Sequence, residues 1–330
     1  MNTLDASAAA LPALLRERAA SSVIRALDVL SDPWSFLILR EAFFGVRRFE
    51  ALRGNLMIAR NILAERLGRL VAEGVLERRL YEERPPRFEY RLTEAGRDFY
   101  PAIVALMAWG DRWRPAVDGP PLTLLHADDG SRVEPVVVCL SCATPVSPFD
   151  VVLENGPGAG MEIDFVTPAT RRRGDDEAWL RGRPCSVARA LHAIGDRWSF
   201  RILRQSFFGA KRFEAFQQSL GIARNILSER LARLVGEGIL ERHRYQDRPE
   251  RFEYSLSQSG LDLYPSFLLL MSWGDRWRTA GAGPPLLIRH QSCGAVVRPR
   301  IICARRGTAI RANVIAYRMN YLYAPADERT

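Results

Sequence analysis

Apolar residues in this chain recur with two local periods, and the whole pattern then recurs once. In residues 58–74, IARNILAERLGRLVAEG, the side chains of Leu63, Leu67 and Leu70 fall on one face of a helix, with Asn61, Ala64, Glu65 and Gly68 on the other. Gly74 suits the stop of that helix. Upstream, Asp32 followed by Pro33 predicts a capped start for PWSFLILREAFF, with Gly45 at its end. A short helix, RFEALRGNL, is predicted between the two. Downstream the period shortens. VLERRLY and RFEYRL are β-inclined runs around a Glu-Arg-Pro-Pro tip, which predicts a hairpin. Thr93 can cap one more helix, kinked or restarted at Pro101, whose stripe is Ile103, Leu106, Met107 and Trp113. Helix, helix, helix, hairpin, helix is the order of a winged helix-turn-helix.

The same series returns with an offset of 164 residues (222 minus 58). IARNILSERLARLVGEG occupies 222–238, and CSVARALHAIGDRWSFRILRQSFFGAKRFEAF at 185–216 matches residues 21–52 without a gap. ERPPRFEYRLTEAGRDFYP at 83–101 returns as DRPERFEYSLSQSGLDLYP at 247–265, and MAWGDRWR at 107 as MSWGDRWR at 271. Internal repetition fixes the domain count better than length does. The expected fold class is α+β, mainly α: two winged helix-turn-helix domains, each followed by a small β-rich appendage. The expected boundaries are an N-terminal helix over 1–20, copy one over 21–117 and its appendage over 118–155. A linker follows over 156–184, then copy two over 185–281 and its appendage over 282–324.

Composition narrows the partner. The 330 residues carry a formal net charge of +9, mostly as arginine, which favours a polyanion. No stretch is apolar for the ~18 residues of a membrane span. The N-terminus has an acid at Asp5 and lacks the basic and apolar regions of a secretory signal, so a cytoplasmic location is expected. Five cysteines spread over the chain argue against a disulfide scaffold.

These blocks in fixed order are similar to the HxlR family of bacterial transcriptional regulators, a DUF24-type branch related to the MarR regulators. The resemblance covers about 95 residues in each copy: a Cys at the start of the domain, LHAIGDRWSFRIL, FFGAKRFEAF, IARNILSERLARLVGEGILER, YQDRPERFEYSLSQSG and the late WGDRW. It implies transcription regulation through DNA binding, with homodimers joined by their terminal helices and a wing that flanks the duplex. Copy one departs from the pattern at Ser21, where the family Cys would stand, and at Pro33, where Arg is usual. Tandem duplication is itself a departure.

In such a fold the second helix of the motif enters the major groove and its first residues meet base edges. Those residues are Arg60, Asn61 and Ala64 in copy one, and Arg224, Asn225 and Ser228 in copy two. Arginine can grip guanine in a bidentate fashion and asparagine adenine. A surface role for Arg60, a local capping role for Asn61 and an intrahelical partner for Glu65 are the rival readings. Arg84, Arg87, Arg248 and Arg251 at the hairpin tips suit phosphate or minor-groove contacts, and Arg47, Arg48, Lys211 and Arg212 suit the backbone. A linker of some 30 residues would span roughly 30 Å if flexible. The expectation is therefore a single-chain pseudo-dimer on double-stranded DNA, reading two half-sites, with two chains pairing through equivalent copies as the rival arrangement.

The appendages add cysteine chemistry. Superposed, the two copies outline a His-x2-Cys…Cys-x2-Cys pattern, with the ligand types of zinc. Copy one holds His126, Cys139 and Cys142 with Asp129 in the remaining place; copy two holds His290, Cys293 and Cys303 with Arg306 there. No cofactor is required by the fold, zinc at His126, Cys139 and Cys142 is a candidate, and the rival is a β module that has lost its metal. Cys185 stands where the resemblance places a reactive thiol, so it is a candidate redox sensor, and Arg183 and Arg189 would favour its thiolate if near in space. Burial as an inert small hydrophobe is the rival reading of Cys185. A sequence-specific DNA-binding regulator, with a thiol or ligand response as an option, is thus the leading expectation. The alternative is a winged-helix interaction or redox-sensing module without specific DNA binding. An enzyme is not expected, because no nucleophile–base set or phosphate loop is present and Cys139 and Cys142 lie outside a thioredoxin-like setting.

Overall fold

The computed structural model describes residues 15–30, 32–165, 183–279 and 281–321. After strand β1 (Leu15–Ala19), copy one runs through α1 (Ser22–Leu30), α2 (Pro33–Phe43), α3 (Phe49–Leu56) and α4 (Arg60–Ala72). The wing, β2 (Leu76–Glu83) and β3 (Pro86–Leu92), leads to α5 (Glu94–Asp98) and α6 (Tyr100–Trp113). Then come β4 (Leu122–His126), β5 (Pro135–Cys139), β6 (Val151–Asn155) and β7 (Met161–Phe165). Copy two repeats the winged unit as α7 (Ser186–Ile194), α8 (Arg197–Phe207), α9 (Phe213–Leu220), α10 (Arg224–Gly236), β8 (Leu240–Asp247), β9 (Glu250–Leu256), α11 (Gln258–Leu261) and α12 (Tyr264–Trp277). Its tail is β10 (Leu286–His290), β11 (Pro299–Cys303) and β12 (Ile315–Met319).

The punctuation read from sequence acts where expected. The Asp32 carboxylate accepts the Trp34 N–H at 2.9 Å and starts α2. Thr93 accepts the Gly96 N–H at 3.1 Å and starts α5, and α6 restarts with Pro101 in its first turn, where a missing N–H costs nothing. The apolar stripe of α4 is buried throughout, with Leu63, Leu67 and Leu70 each at 0 % exposure. Between α3 and α4 the chain turns through a left-handed residue, Met57 (φ 52°) in copy one and Gly221 (φ 58°) in copy two.

The two copies exchange helices. α1 packs along α12 of the other copy, α7 packs along α6, and α6 and α12 touch each other. The contacts come in matched pairs. Trp109 Nε1 donates to the Ser259 carbonyl at 2.8 Å, and Trp273 Nε1 to the Ala95 carbonyl at 2.8 Å. Trp113 Nε1 reaches Asp262 at 3.0 Å, and Trp277 Nε1 reaches Asp98 at 2.9 Å. Where the crossed helices meet, a side chain has no room: a Cβ on Gly110 would lie 2.1 Å from the Ser186 carbonyl oxygen, and one on Gly274 would lie 2.1 Å from that of Ser22. The buried hydrophobic side chains of both copies form one continuous core.

The appendages exchange strands as well, which corrects the expectation of two separate β modules. β4 pairs with β12, β10 with β6, and β5 with β11, all antiparallel. In the last pair Val137 lies opposite Ile301, its own counterpart, so the local two-fold axis passes between them. Five-residue strands cannot bury an apolar face alone, and the partner copy supplies the second strand in each case. The N-terminal helix is also corrected over 15–19, where Leu15–Ala19 is a strand pairing with Met161–Phe165 inside the expected linker. Ladder hydrogen bonds to a distant segment outweigh a weak local helix preference there. Residues 1–14 of that expected helix and 166–182 of the linker lie outside the described residues.

Candidate nucleic-acid interface

The α4 N-terminus carries Arg60, Asn61 and Ala64, all exposed, and α10 presents Arg224, Asn225 and Ser228 in the same way. Each helix is fixed from behind by arginines on its other face. Arg66 pairs with Asp32, the residue that caps α2, and Arg69 donates to the Asp28 carbonyl. In copy two Arg230 pairs with Asp196 at 2.8 Å and Arg233 donates to the His192 carbonyl at 2.7 Å. These anchors were not singled out in the sequence, although the repeat keeps both arginines and the aspartate that pairs with the first of them. They leave the helix start exposed.

The rival readings of these residues can be placed. The N-cap of α4 is Ala59, with no side-chain cap, so Asn61 is not the capping residue. Glu65 pairs with Arg66 of its own helix at 2.5 Å, and therefore acts as an intrahelical partner. Arg60 stacks 5.4 Å over the Phe49 ring and reaches Glu50 at 3.1 Å, while Arg224 stacks 5.2 Å over Phe213. Stacking holds each guanidinium beside the helix start, and in copy one Glu50 takes one of its nitrogens.

The wings extend the same surface. Arg84, Arg87, Arg248 and Arg251 are exposed at the hairpin tips. At the wing base, the Arg47 carbonyl accepts the Tyr90 N–H at 2.8 Å, which ties the segment before α3 to the hairpin. Arg47, Arg48, Lys211 and Arg212 are all exposed there, with Arg48 stacked 5.0 Å over Tyr81 and Arg212 4.8 Å over Tyr245.

The cysteines are distributed otherwise than the sequence suggested. His126, Cys139 and Cys142 do not come together. Strand exchange instead puts Cys139 and Cys142 with His290 and Cys293, and the ligating atoms of these four lie within 4.8 Å of one another. His126 belongs to the opposite corner, with Cys303. Cys185 caps α7, its sulfur accepting the Ala188 N–H at 3.4 Å, and lines a small apolar cavity between the copies with Phe43, Tyr100, Met107, Leu122 and Tyr317. Arg183 pairs with Glu41 at 3.7 Å and Arg189 donates to the Arg114 carbonyl at 2.6 Å. Arg40, from copy one, also interacts with Cys185, a neighbour that sequence proximity does not indicate.

Two winged units, each with an exposed arginine-asparagine helix start, define a helix-turn-helix protein. The sequence profile of the HxlR-like helix-turn-helix family matches residues 29–118 and again 193–282, and the chain belongs to that family. It is similar to the uncharacterized HTH-type transcriptional regulator Rv3095 of Mycobacterium tuberculosis, with 49% identity over 137 residues, 42% of this chain and 87% of the relative. The HTH-type transcriptional regulator sll1512 of Synechocystis is 40% identical over 91 residues, 26% of this chain and 65% of that protein. Among solved structures, the redox regulator HypR in its reduced form matches at 32% identity with a TM-score of 0.26, covering 27% of this chain and 88% of that one. The chain is thus a helix-turn-helix transcriptional regulator and not an enzyme. Among the described residues no helix is long and apolar enough to cross a membrane.

Proposed function

We propose that this regulator binds double-stranded DNA as a single-chain pseudo-dimer and reads two half-sites of an imperfect inverted repeat. The observation that carries the reading is the pairing of two exposed helix starts, Arg60-Asn61 and Arg224-Asn225, in a unit whose halves are joined by exchanged helices. Two-fold related recognition helices suit half-sites about 34–36 Å apart, one turn of the duplex. Arg60 and Arg224 are assigned to base edges, with Asn61, Asn225 and Ser228 beside them and Ala64 packing against a base methyl. The wing arginines and the cluster before α3 and α9 are assigned to phosphates. The basic net charge supports the same partner.

The test is titration of labelled operator DNA, taken from the region upstream of the coding sequence, at two salt concentrations. Arg60→Ala and Arg224→Ala are each expected to lose about 1–3 kcal/mol and to relax specificity in one half-site. Arg84→Ala is expected to weaken all sequences alike and to reduce the salt slope by about 1. A chain whose affinity for every duplex tried is salt-independent, or unaffected by Arg60→Ala with Arg224→Ala, is not this kind of reader.

Cys185 supports a second element of the reading, a thiol or small apolar effector acting at the junction of the copies. The sulfur sits at the start of a helix, beside Arg40, on a cavity lined by both copies. Modification there would push α7 away from α6 and change the spacing of the reading helices. Cys185→Ser is expected to abolish any response of DNA affinity to oxidant while leaving affinity under reducing conditions unchanged.

A further inference from the structure

We propose that Cys139, Cys142, His290 and Cys293 bind one zinc ion, and that this ion staples the β appendage of copy one to that of copy two. The proposal does not rest on DNA binding. Cys142 Sγ lies 3.3 Å from His290 Nδ1, and Cys293 Sγ lies 3.6 Å from the same nitrogen. In a tetrahedral site with Zn–S of about 2.3 Å and Zn–N of about 2.0–2.1 Å, a sulfur and a nitrogen stand about 3.5 Å apart. The spacing is that of ligands around a shared centre.

Three further features point the same way. Each ligand pair sits on a tight turn of the same kind. The Ala143 N–H returns to the Cys139 carbonyl at 2.8 Å and the Gly294 N–H to the His290 carbonyl at 2.8 Å, with Ala143 (φ 59°) and Gly294 (φ 68°) left-handed. Each turn aims two side chains at one point. His290 is fully buried, and its other nitrogen, Nε2, lies 2.9 Å from Asp150 Oδ2. Nε2 is buried and makes no hydrogen bond as the site stands, and Asp150 is the carboxylate near enough to orient a zinc-bound histidine through it, which leaves Nδ1 as the lone-pair donor. The cysteines here are free thiols, and three sulfurs with one imidazole are a soft donor set that selects zinc over calcium or magnesium. On binding, the three thiols give their protons to solvent and the three thiolates with zinc(II) leave the site at net −1.

The opposite corner shows what the same frame does without these ligands. By the repeat offset its positions are His126, Asp129, Cys303 and Arg306. The turns are unchanged, with the Gly130 N–H on the His126 carbonyl at 2.9 Å and the Gly307 N–H on the Cys303 carbonyl at 2.8 Å. Arg306 grips Asp128 with both terminal nitrogens at 3.0 Å and reaches Asp129 at 3.5 Å. A guanidinium cannot ligate a metal, but paired with these carboxylates it bridges the same two appendages. One corner is thus closed by a metal and the other by an ion pair, a division of labour that a dimer of identical chains cannot adopt.

The test is metal analysis of the full chain, purified under reducing conditions and loaded with zinc, then dialysed. One equivalent per chain, a tetrahedral cobalt spectrum with thiolate charge-transfer bands on substitution, and a melting temperature lowered by chelator are expected. Cys142→Ser and Cys293→Ser are each expected to lose the equivalent, and Asp150→Ala to weaken zinc about 10–100-fold. The double change Asp129→Cys with Arg306→Cys completes four ligands at the second corner and is expected to raise the content to two. A wild-type chain without bound metal after loading overturns the site, as does metal retained by both cysteine variants or a disulfide found among the three thiols. A double variant that folds and still holds one equivalent overturns the reading of the second corner as a replaced site.

Discussion

Where the helices of the two copies cross, the residues that make the close contacts match pair by pair, while at the appendage corners equivalent positions have drifted apart. Gly110 with Gly274, Trp109 with Trp273 and Trp113 with Trp277 make equivalent contacts at nearly equal distances. The appendage corners and the turns before α4 and α10 differ in their residues, and the Asp32 and Asp196 caps differ in exposure. In one polypeptide the junction must still present two equivalent reading heads, so both sides of the crossing are under one geometric constraint. The reading helices α4 and α10 are kept as closely, whereas the appendage corners need only to hold the fold together.

The largest expected departure from symmetry lies at the anchor of the reading helix. The side chains of Asp32 and Arg66 are 5% and 9% exposed, whereas those of Asp196 and Arg230 are 43% and 21% exposed. Removing one partner of a buried pair strands the other charge, and Asp32→Ala also removes a cap, so a loss of about 3–5 kcal/mol is expected. Asp196→Ala is expected to cost about 1 kcal/mol, the loss of a cap beside a pair already solvated. Denaturant titration of the two variants measures the gap, and equal losses would remove this asymmetry.

At the crossing the opposite holds. Gly110→Val and Gly274→Val each force a side chain against a carbonyl of the partner helix, and each is expected to cost about 2–3 kcal/mol. The two losses should agree within error in thermal or denaturant unfolding. A large difference between them would mean that one crossing carries the assembly alone.

How much of this was legible follows from the range of each signal. Caps, stops and stripes are local, so Asp32, Gly45, Thr93, Pro101 and the leucines of α4 were read from the chain itself. Helix periodicity does not say which helix a stripe faces, and α1 and α6 would look the same packed within their own copies. One sign of exchange was present. Neither appendage keeps four ligands, yet copy one keeps Cys139 with Cys142 intact and copy two keeps His290 with Cys293 intact. Complementary losses are what a shared site leaves behind. The strand at 15–19 had no such sign, because its partner lies in a segment read as linker. The candidate reading residues were legible from spacing, whereas Arg40 beside Cys185 was not, since the two meet only across the copies.

A pH experiment sharpens the junction further. Burial, opposed by the nearby Ser22 hydroxyl and Arg25, pushes Asp275 up to about 6 from an ordinary 3.8, and burial likewise raises Asp111 against the hydroxyl of Ser186. A carboxyl raised in the folded state favours folding while protonated. Its contribution is complete below about pH 4 and is lost as pH rises through about 6. Asp275→Asn removes that loss, and a gain of about 1–2 kcal/mol at pH 7 is expected, with little change at pH 4. Denaturation at the two pH values checks it, and a variant no more stable at pH 7 than wild type would show that the ionised carboxylate is well solvated at the junction.

The smallest effect is expected in the turn that separates the two helices of the motif. Met57 holds φ at 52° with a side chain 66% exposed, so it gains little from packing and bears the left-handed cost that Gly221 avoids at φ 58°. Glycine relieves that cost but gives back part of it through a more flexible unfolded chain. Met57→Gly is therefore expected to stabilise copy one by about 0.5–1 kcal/mol, and Gly221→Met to destabilise copy two by about 1 kcal/mol. Because the turn sets the angle at which the reading helix leaves α3, the same pair can be followed in operator binding. Stability that shifts as expected while affinity stays fixed assigns the strain to drift in an unconstrained loop. If Met57→Gly weakens binding while stabilising the fold, the strained turn helps to aim the reading helix of copy one, and the two reading heads are held differently from their roots.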